Sequence, residues 1–517
     1  MNKYIVRRLM CGLCCIVTAF ALSGCATGVE VLHKDASATL PPASVAWSAP
    51  VGDTEQETAQ TVLIYVPNSA GTQLIAQAER VAISAARHPA EAALRRLFAF
   101  AGSDTALRLG PESTLQLSPV NPVEISGDTA VVNLASSAFM LSHSDLYIVC
   151  QAIANTLSQW GDIHYVNVLV SSAQPGLDVG ASVPAGCFTE DLNGTIDTLA
   201  AAVEAQTAVA SDRRISLNAV LYFPTYAGKG ILAEAQTISF DGRSKPVLAE
   251  TLLAALSQGA RQLTNVPSLP VLSEYLISTP TVQEIPVSGG QRIILRFSAE
   301  LNEALIEARI PRSVMLAALT YTITGFIPGI GGITVYIGDE LVTAVVPNGI
   351  YEGAGEAVIF ADGVMRRSDF SRFLLSNCTL YMGDGSGSLR AVQRPIPYYE
   401  TRSARYLLGC LMQGPQTCDS ESAQAVLPEG LSDADLLGVG LSDYTLLLNW
   451  SSRFGTLAKN LDETAERLLV FSIVNTLTEL PPVHGVSLFI DGEQPDTLSG
   501  RIYLPGQFMR DAGLIGK

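Results

Sequence analysis

Asn155-Thr156-Leu157-Ser158-Gln159-Trp160 and Asn475-Thr476-Leu477-Thr478-Glu479-Leu480 open two stretches of the chain that run on without a gap. The first continues Gly161-Asp162-Ile163-His164-Tyr165-Val166-Asn167-Val168-Leu169-Val170, the second Pro481-Pro482-Val483-His484-Gly485-Val486-Ser487-Leu488-Phe489-Ile490. Each reads as the end of an amphipathic helix, a turn, then a strand of alternating apolar residues. A weaker third copy, Tyr321-Thr322-Ile323-Thr324-Gly325-Phe326, leads to Gly332-Ile333-Thr334-Val335-Tyr336-Ile337. Recurrence of this kind marks a repeated supersecondary unit.

The segments upstream match as well. Val62-Leu63-Ile64-Tyr65-Val66-Pro67, Ala219-Val220-Leu221-Tyr222-Phe223-Pro224 and Cys378-Thr379-Leu380-Tyr381-Met382-Gly383 read as short buried strands, each followed by a Gly-bearing turn. From the strand tyrosine to the helix-end motif takes 90, 99 and 94 residues respectively. Between them lie an apolar-periodic helix (90–100, 247–257 and 403–412) and a strand (129–134, 292–297 and 444–449). A second helix then carries the motif. The expected fold class is α+β: three tandem sandwiches, each a small sheet covered by two helices.

The Leu-Tyr-Phe-Pro opening, the helix stop Gln413-Gly414-Pro415, the helix end Val474-Asn475-Thr476-Leu477-Thr478-Glu479, the valine-rich strand after it and Asp491-Gly492 resemble the germane (GerMN) domain of GerM-type sporulation and spore-germination lipoproteins. The third unit is most similar, over roughly 375 to 500. The first follows over 60 to 172, and the second, lacking the Asn-Thr pair, is divergent. The resemblance implies a fold similar to ring-building motifs. It also implies a non-enzymatic envelope module that assembles with other proteins of the sporulation complex.

The N-terminus sets an expected location. Lys3, Arg7 and Arg8 precede an apolar run from Leu9 to Leu22, then Ser23-Gly24-Cys25. That run is shorter than the roughly 20 residues a spanning helix needs, and it fits the h-region of a secretory leader. Small residues before a cysteine look like a lipobox, so Cys25 is the expected lipidation site and the anchor to the membrane. Loss of a leader carrying three basic residues takes the net charge from −17 to −20. Such a surface repels phosphate backbones, which excludes nucleic acid as a partner.

Candidate chemistry is sparse. The histidines are His33, His88, His143, His164 and His484, with no HExxH spacing. His164 and His484 hold one place in two repeats and are expected to cap turns or lie partly buried. Asn155 and Asn475 are expected to cap the helix carbonyls rather than line a groove. Gly383 to Ser388 reads as a hairpin turn, and Asp462, Glu463 and Glu466 as a solvated helix face near an N-terminus. Cys150, Cys187, Cys378, Cys410 and Cys418 contain no CxxC pair; Cys150 reads as core, and Cys410 and Cys418 are equally compatible with a disulfide or free thiols. No enzyme, metal or cofactor is expected. The competing reading is a sensor accessory or solute-binding lipoprotein with its ligand between units. Oligomerisation is neither fixed nor excluded.

The expected map is a signal peptide at 1–24, a tether at 25–58, and a first domain at 59–175. A linker with a spacer helix follows at 176–214, then a divergent second domain at 215–345, a linker at 346–374, and a third domain with its tail at 375–517. Pro/Gly punctuation after each last strand suggests that every unit carries a short trailing segment.

Overall fold

Period-two apolar strands closed by Gly-bearing turns give the hairpins from which the architecture grows. In the computed structural model, the described residues are 47–516 without 54–57, 84–87, 101–114, 162, 179, 181, 210–212, 227–228, 287–289, 348–354, 401–402, 417–418 and 420–421. The signal peptide and Cys25 lie outside them, as does Cys418. Trp47–Lys517 forms one compact unit by its contacts.

The first set of elements begins with β1 (Gly52–Asp53) and the hairpin β2 (Thr58–Pro67) and β3 (Leu74–Ile83). Helix α1 (Pro89–Ala99) follows, with the His88 side chain accepting from the Ala90 N–H at its start. Then come β4 (Val123–Ser126), β5 (Thr129–Leu134), α2 (His143–Leu157), β6 (Tyr165–Val170) and α3 (Ile196–Ala208). The second set repeats the order: hairpin β7 (Ile215–Pro224) and β8 (Ile231–Phe240), α4 (Lys245–Gln258), β9 (Thr281–Glu284), β10 (Gln291–Phe297), α5 (Glu300–Glu307), α6 (Arg312–Phe326) and β11 (Ile330–Ile337). Its trailing segment holds the two-residue strands β12 (Glu340–Leu341), β13 (Ala344–Val345) and β14 (Val358–Ile359). The third set has hairpin β15 (Leu375–Gly383) and β16 (Leu389–Pro397), α7 (Ala404–Met412), β17 (Leu436–Ser442), β18 (Thr445–Trp450), α8 (Ser452–Ala458), α9 (Glu463–Leu477), β19 (Gly485–Ile490) and β20 (Phe508–Met509). The chain is thus mixed α/β with small sheets, as its periodicities imply.

Each set carries the same pairing. The central strand runs antiparallel to the strand before it and parallel to the strand after the motif helix: β4–β5–β6, β9–β10–β11 and β17–β18–β19. The parallel step is what a crossing helix produces. Strand β5 is buried at every position, because both of its faces are covered. Ala130, Val132 and Leu134 face the first set's own helices, whereas Val131 joins the apolar cluster of the second set. Leu169 of β6 does the same.

The segments expected as linkers are built into this unit. Pro50 O accepts from Asn449 Nδ2 (3.0 Å), and β1 pairs parallel with β17. A Cβ on Gly438 would stand 2.4 Å from Pro50 O, so only glycine lets β1 approach. The spacer helix α3 buries Leu199 and Val203. Arg367, inside the expected 346–374 linker, is almost wholly buried.

Candidate functional site

The helix-end motif is a clamp on the opening hairpin. Thr156 Oγ1 accepts the Tyr65 backbone N–H, Thr322 Oγ1 that of Tyr222, and Thr476 Oγ1 that of Tyr381, each at 3.0 Å. A β-strand edge that would otherwise bury an unpaired N–H is satisfied by one threonine in all three sets. The three tyrosine-bearing strands therefore stand in equivalent surroundings.

Asn155 and Asn475 do something different from capping. Both are fully buried. Asn155 Nδ2 donates to Asp191 O (2.8 Å) and its Oδ1 accepts the Asp191 N–H (2.9 Å). Asn475 repeats this with Asp511, at 3.1 and 3.0 Å. Each asparagine reads the backbone of a trailing strap as a neighbouring strand would. The straps then return to their hairpins, through the bridges Gln73–Thr195 and Leu389–Ile515. In the second set Tyr321 stands in the asparagine position. Its hydroxyl donates to Arg367 O (3.1 Å), Arg367 Nη1 donates to Tyr321 O (3.1 Å), and the strap closes through Ile231–Leu374.

Arg367 also joins the sets. Its Nη2 reaches Glu124 Oε2 (3.2 Å) of β4 and the Tyr222 hydroxyl (3.3 Å) of β7, and its guanidinium lies 3.9 Å from the Tyr321 ring centroid. Burial pushes the Glu124 carboxyl up, with the Arg367 charge opposing it. Burial likewise pushes the Tyr222 phenol up to about 12. Nearby, Asn167 Nδ2 donates to Gly325 O and Gln174 N–H to Thr324 O, so the first set grips the end of α6.

Where the three sets meet lies a cleft of about 860 Å³. His88, Glu91, Asp128 and His164 line it from the first set, Leu263 and Thr264 from the second, and Asn377, Cys378, Thr379, Tyr398 and Glu479 from the third. Burial pushes the Cys378 thiol up to about 12, which leaves little thiolate at neutral pH. Among the described residues no group of three or more His, Cys, Asp or Glu side chains is placed to hold a metal ion, and no helix is long and apolar enough to cross a membrane.

Several expectations need correction. His164 and His484 are exposed, not partly buried; what the repeats share is their backbone, whose N–H donates to Asp128 O and Tyr444 O respectively. The His484 ring stacks on Tyr444 at 4.9 Å. Glu466 is fully buried rather than solvated, and accepts from the N–H groups of Leu498 and Ser499 and from the Ser499 hydroxyl. Asp462 does sit at the helix start, accepting the Ala465 N–H. Cys150 is buried, and Cys410 is a free thiol. Sequence reading missed Arg367, Tyr321 and the cleft itself.

Residues 379–496 match the family model "Germane: Sporulation and spore germination". No curated protein matches the chain at a significant level. Among solved structures, the chain is similar to the tandem GerMN domains of the sporulation protein GerM from Bacillus subtilis, at 17% identity and a TM-score of 0.21, covering 60% of this chain and 99% of that one. The first GerMN domain of the same protein matches at 25% identity and a TM-score of 0.22, over 26% of this chain and 97% of that one. A putative lipoprotein from Clostridium perfringens matches at 23% and 0.19, over 26% and 87%. Residues 379–496 are thus similar to the Germane domain of sporulation and spore germination, a likeness that spans less than a quarter of the chain.

Proposed function

We propose that this chain is an extracytoplasmic lipoprotein, held to the cell membrane through Cys25, that acts without catalysis as an interaction and assembly module in sporulation or spore germination. The observation that carries the reading is the family match over 379–496. The joined architecture supports it. Three clamped sheets fused through Arg367 and the β1–β17 pairing present fixed surfaces, and rigid surfaces bind partner proteins with less ordering cost. Lipidation would add the anchoring that two or more acyl chains provide.

Two experiments test the two halves of the proposal. Cross-linked pull-down of the tagged chain from sporulating cells should recover envelope proteins of the sporulation complex in fixed proportion. Their absence from both sporulating and vegetative cells removes the assembly role. Cys25→Ala should release the chain from membranes, and retention through a high-salt wash rejects lipidation.

A second reading, a solute held between the sets, is favoured by the 860 Å³ cleft. A thermal-shift screen with cell-wall fragments and small solutes separates it, because a ligand at 100 times its Kd stabilises by about 2.7 kcal/mol.

A further inference from the structure

We propose that the outer edge of β15, at Asn377 to Thr379, is a docking site for an extended peptide segment carrying basic side chains, which enters the cleft and adds to the sheet as a strand. The inference deepens the interaction-module reading and rests on it.

The argument begins with register. In the β15–β16 hairpin, Gly383 directs its N–H and C=O outward to Gln424, and Tyr381 directs its own outward to Thr476 and Ser472. Strand alternation gives Thr379 and Asn377 the same outward direction. Among the described residues nothing bonds their outward main-chain groups, although the Asn377 side chain accepts from Asn265 Nδ2 (3.0 Å) and the Thr379 hydroxyl from Gln393 Nε2 (2.9 Å), and both residues line the cleft. Facing Asn377 across the hairpin is Pro395, which has no N–H to offer the ladder in any case.

The other two sets each cover one position of this edge. In the first, Gln159 closes it with its carboxamide: Oε1 accepts the Leu63 N–H (2.9 Å) and Nε2 donates to Leu63 O (2.8 Å). Leu63 stands two residues before its tyrosine, as Thr379 does. In the second, extended chain takes the place, with the Cys187 N–H donating to Asn218 O (2.8 Å). Asn218 stands four residues before its tyrosine, as Asn377 does. The third set has Glu479 three residues after its threonine, where the first has Gln159. A carboxylate has no N–H for the Thr379 carbonyl, and Glu479 turns instead to the Tyr381 hydroxyl (2.7 Å) and Arg510 (2.5 Å). The second set thus shows extended chain seated at the position of Asn377 and the first a carboxamide at the position of Thr379, while the third leaves both main-chain positions open among the described residues.

Charge selects the peptide. Glu91, Asp128 and Glu479 line the cleft, and its described lining residues include no lysine or arginine. Arg95 and Arg510 pair with Glu91 and Glu479 from outside that lining, so among the described residues Asp128 is the carboxylate without an arginine partner. Main-chain pairing along an open edge supplies affinity, and the side chains that alternate along the added strand supply selection.

The test uses the purified chain and a fluorescein-labelled hexapeptide alternating lysine and valine, titrated by anisotropy. Three comparisons accompany it: the glutamate–valine counterpart, a lysine peptide N-methylated at alternate amides, and the variant Thr379→Pro. Proline at 379 removes one outward N–H without removing a ladder bond to β16. Saturable binding of the lysine peptide is expected, weakened at least tenfold by N-methylation, by Thr379→Pro and by the glutamate sequence. Glu479→Gln, which restores the carboxamide cap, should weaken it at least fivefold. Absence of saturable binding at millimolar peptide, or equal binding of the N-methylated peptide by the unaltered protein, overturns the proposal, and the latter arm does not depend on any variant folding. If peptides fail while pull-down still recovers sporulation proteins, the edge assignment falls and the assembly role stands.

Discussion

Replacing Asn475 by alanine should free the C-terminal strap while leaving the hairpin clamped. The side chain is fully buried and makes two hydrogen bonds to the backbone of Asp511, at 3.1 and 3.0 Å. A typical internal hydrogen bond contributes about 1 kcal/mol net, and water can reach the partly exposed strap once it lifts, so the loss is about 2 kcal/mol. That corresponds to roughly a thirtyfold rise in the population of the opened strap. Hydrogen exchange followed by mass spectrometry reads it directly. The amides of Asp511, Gly513 and Gly516 should exchange about thirtyfold faster, whereas the Tyr381 amide, held by Thr476, should keep its protection. Asn155→Ala should reproduce the pattern at Asp191, Gly194 and Ile196. Unchanged strap exchange, or an equal rise at every amide of the unit, would refute the idea that these asparagines act as strap holders.

Three further outcomes follow from the same geometry. Arg367→Met strands the buried Glu124 carboxylate and should cost about 3–5 kcal/mol in denaturant melts at pH 7; the penalty should shrink as the pH falls and Glu124 takes up a proton, and a pH-independent penalty would count against the pair. Gly438→Ala pushes a Cβ into Pro50 O and should lower stability by about 1–3 kcal/mol while exposing 50–53 to proteolysis; unchanged cleavage would show the approach to be slack. The hydrogen bond from Arg405, joined by one from the Val439 N–H, holds the Asp53 carboxyl below its ordinary range. A folded value below the unfolded one means that the contribution is complete above the ordinary carboxylate range and is lost as pH falls through the folded value. Protection of the Val439 amide should therefore fall in acid, and Asp53→Asn should abolish that dependence.

The repeated unit was legible because it is written in side chains at fixed spacing. The threonine that clamps each tyrosine strand is the residue that makes the motif recognisable, and hairpins and helices followed from their apolar periods. What escaped was everything that side chains say to backbone far away. Asn155 and Asn475 bind the N–H and C=O of a strap, and any residue type supplies those groups, so no pattern at 191 or 511 announces the contact. Arg367 sits in a stretch rich in glycine and charge that reads as a connector. Only the fold brings Glu124, Tyr222 and Tyr321 around it. Glu466 reads as solvated on charge alone, yet two backbone amides and a hydroxyl satisfy it. The cleft has no signature in any one segment, since its walls come from all three sets.

The pairing of β1 with β17 sets an order of events. Pro50 and Asn449 lie 399 residues apart, and Asp53 and Arg405 lie 352 apart. Contacts of such separation form only after the intervening chain has folded, because closing so long a loop is entropically slow. The leading segment must therefore wait through synthesis of nearly the whole polypeptide for its seat on the last sheet. Its arrival is a record that the final module has been made, and a truncated product would leave Trp47 to Asp53 undocked and open to proteases.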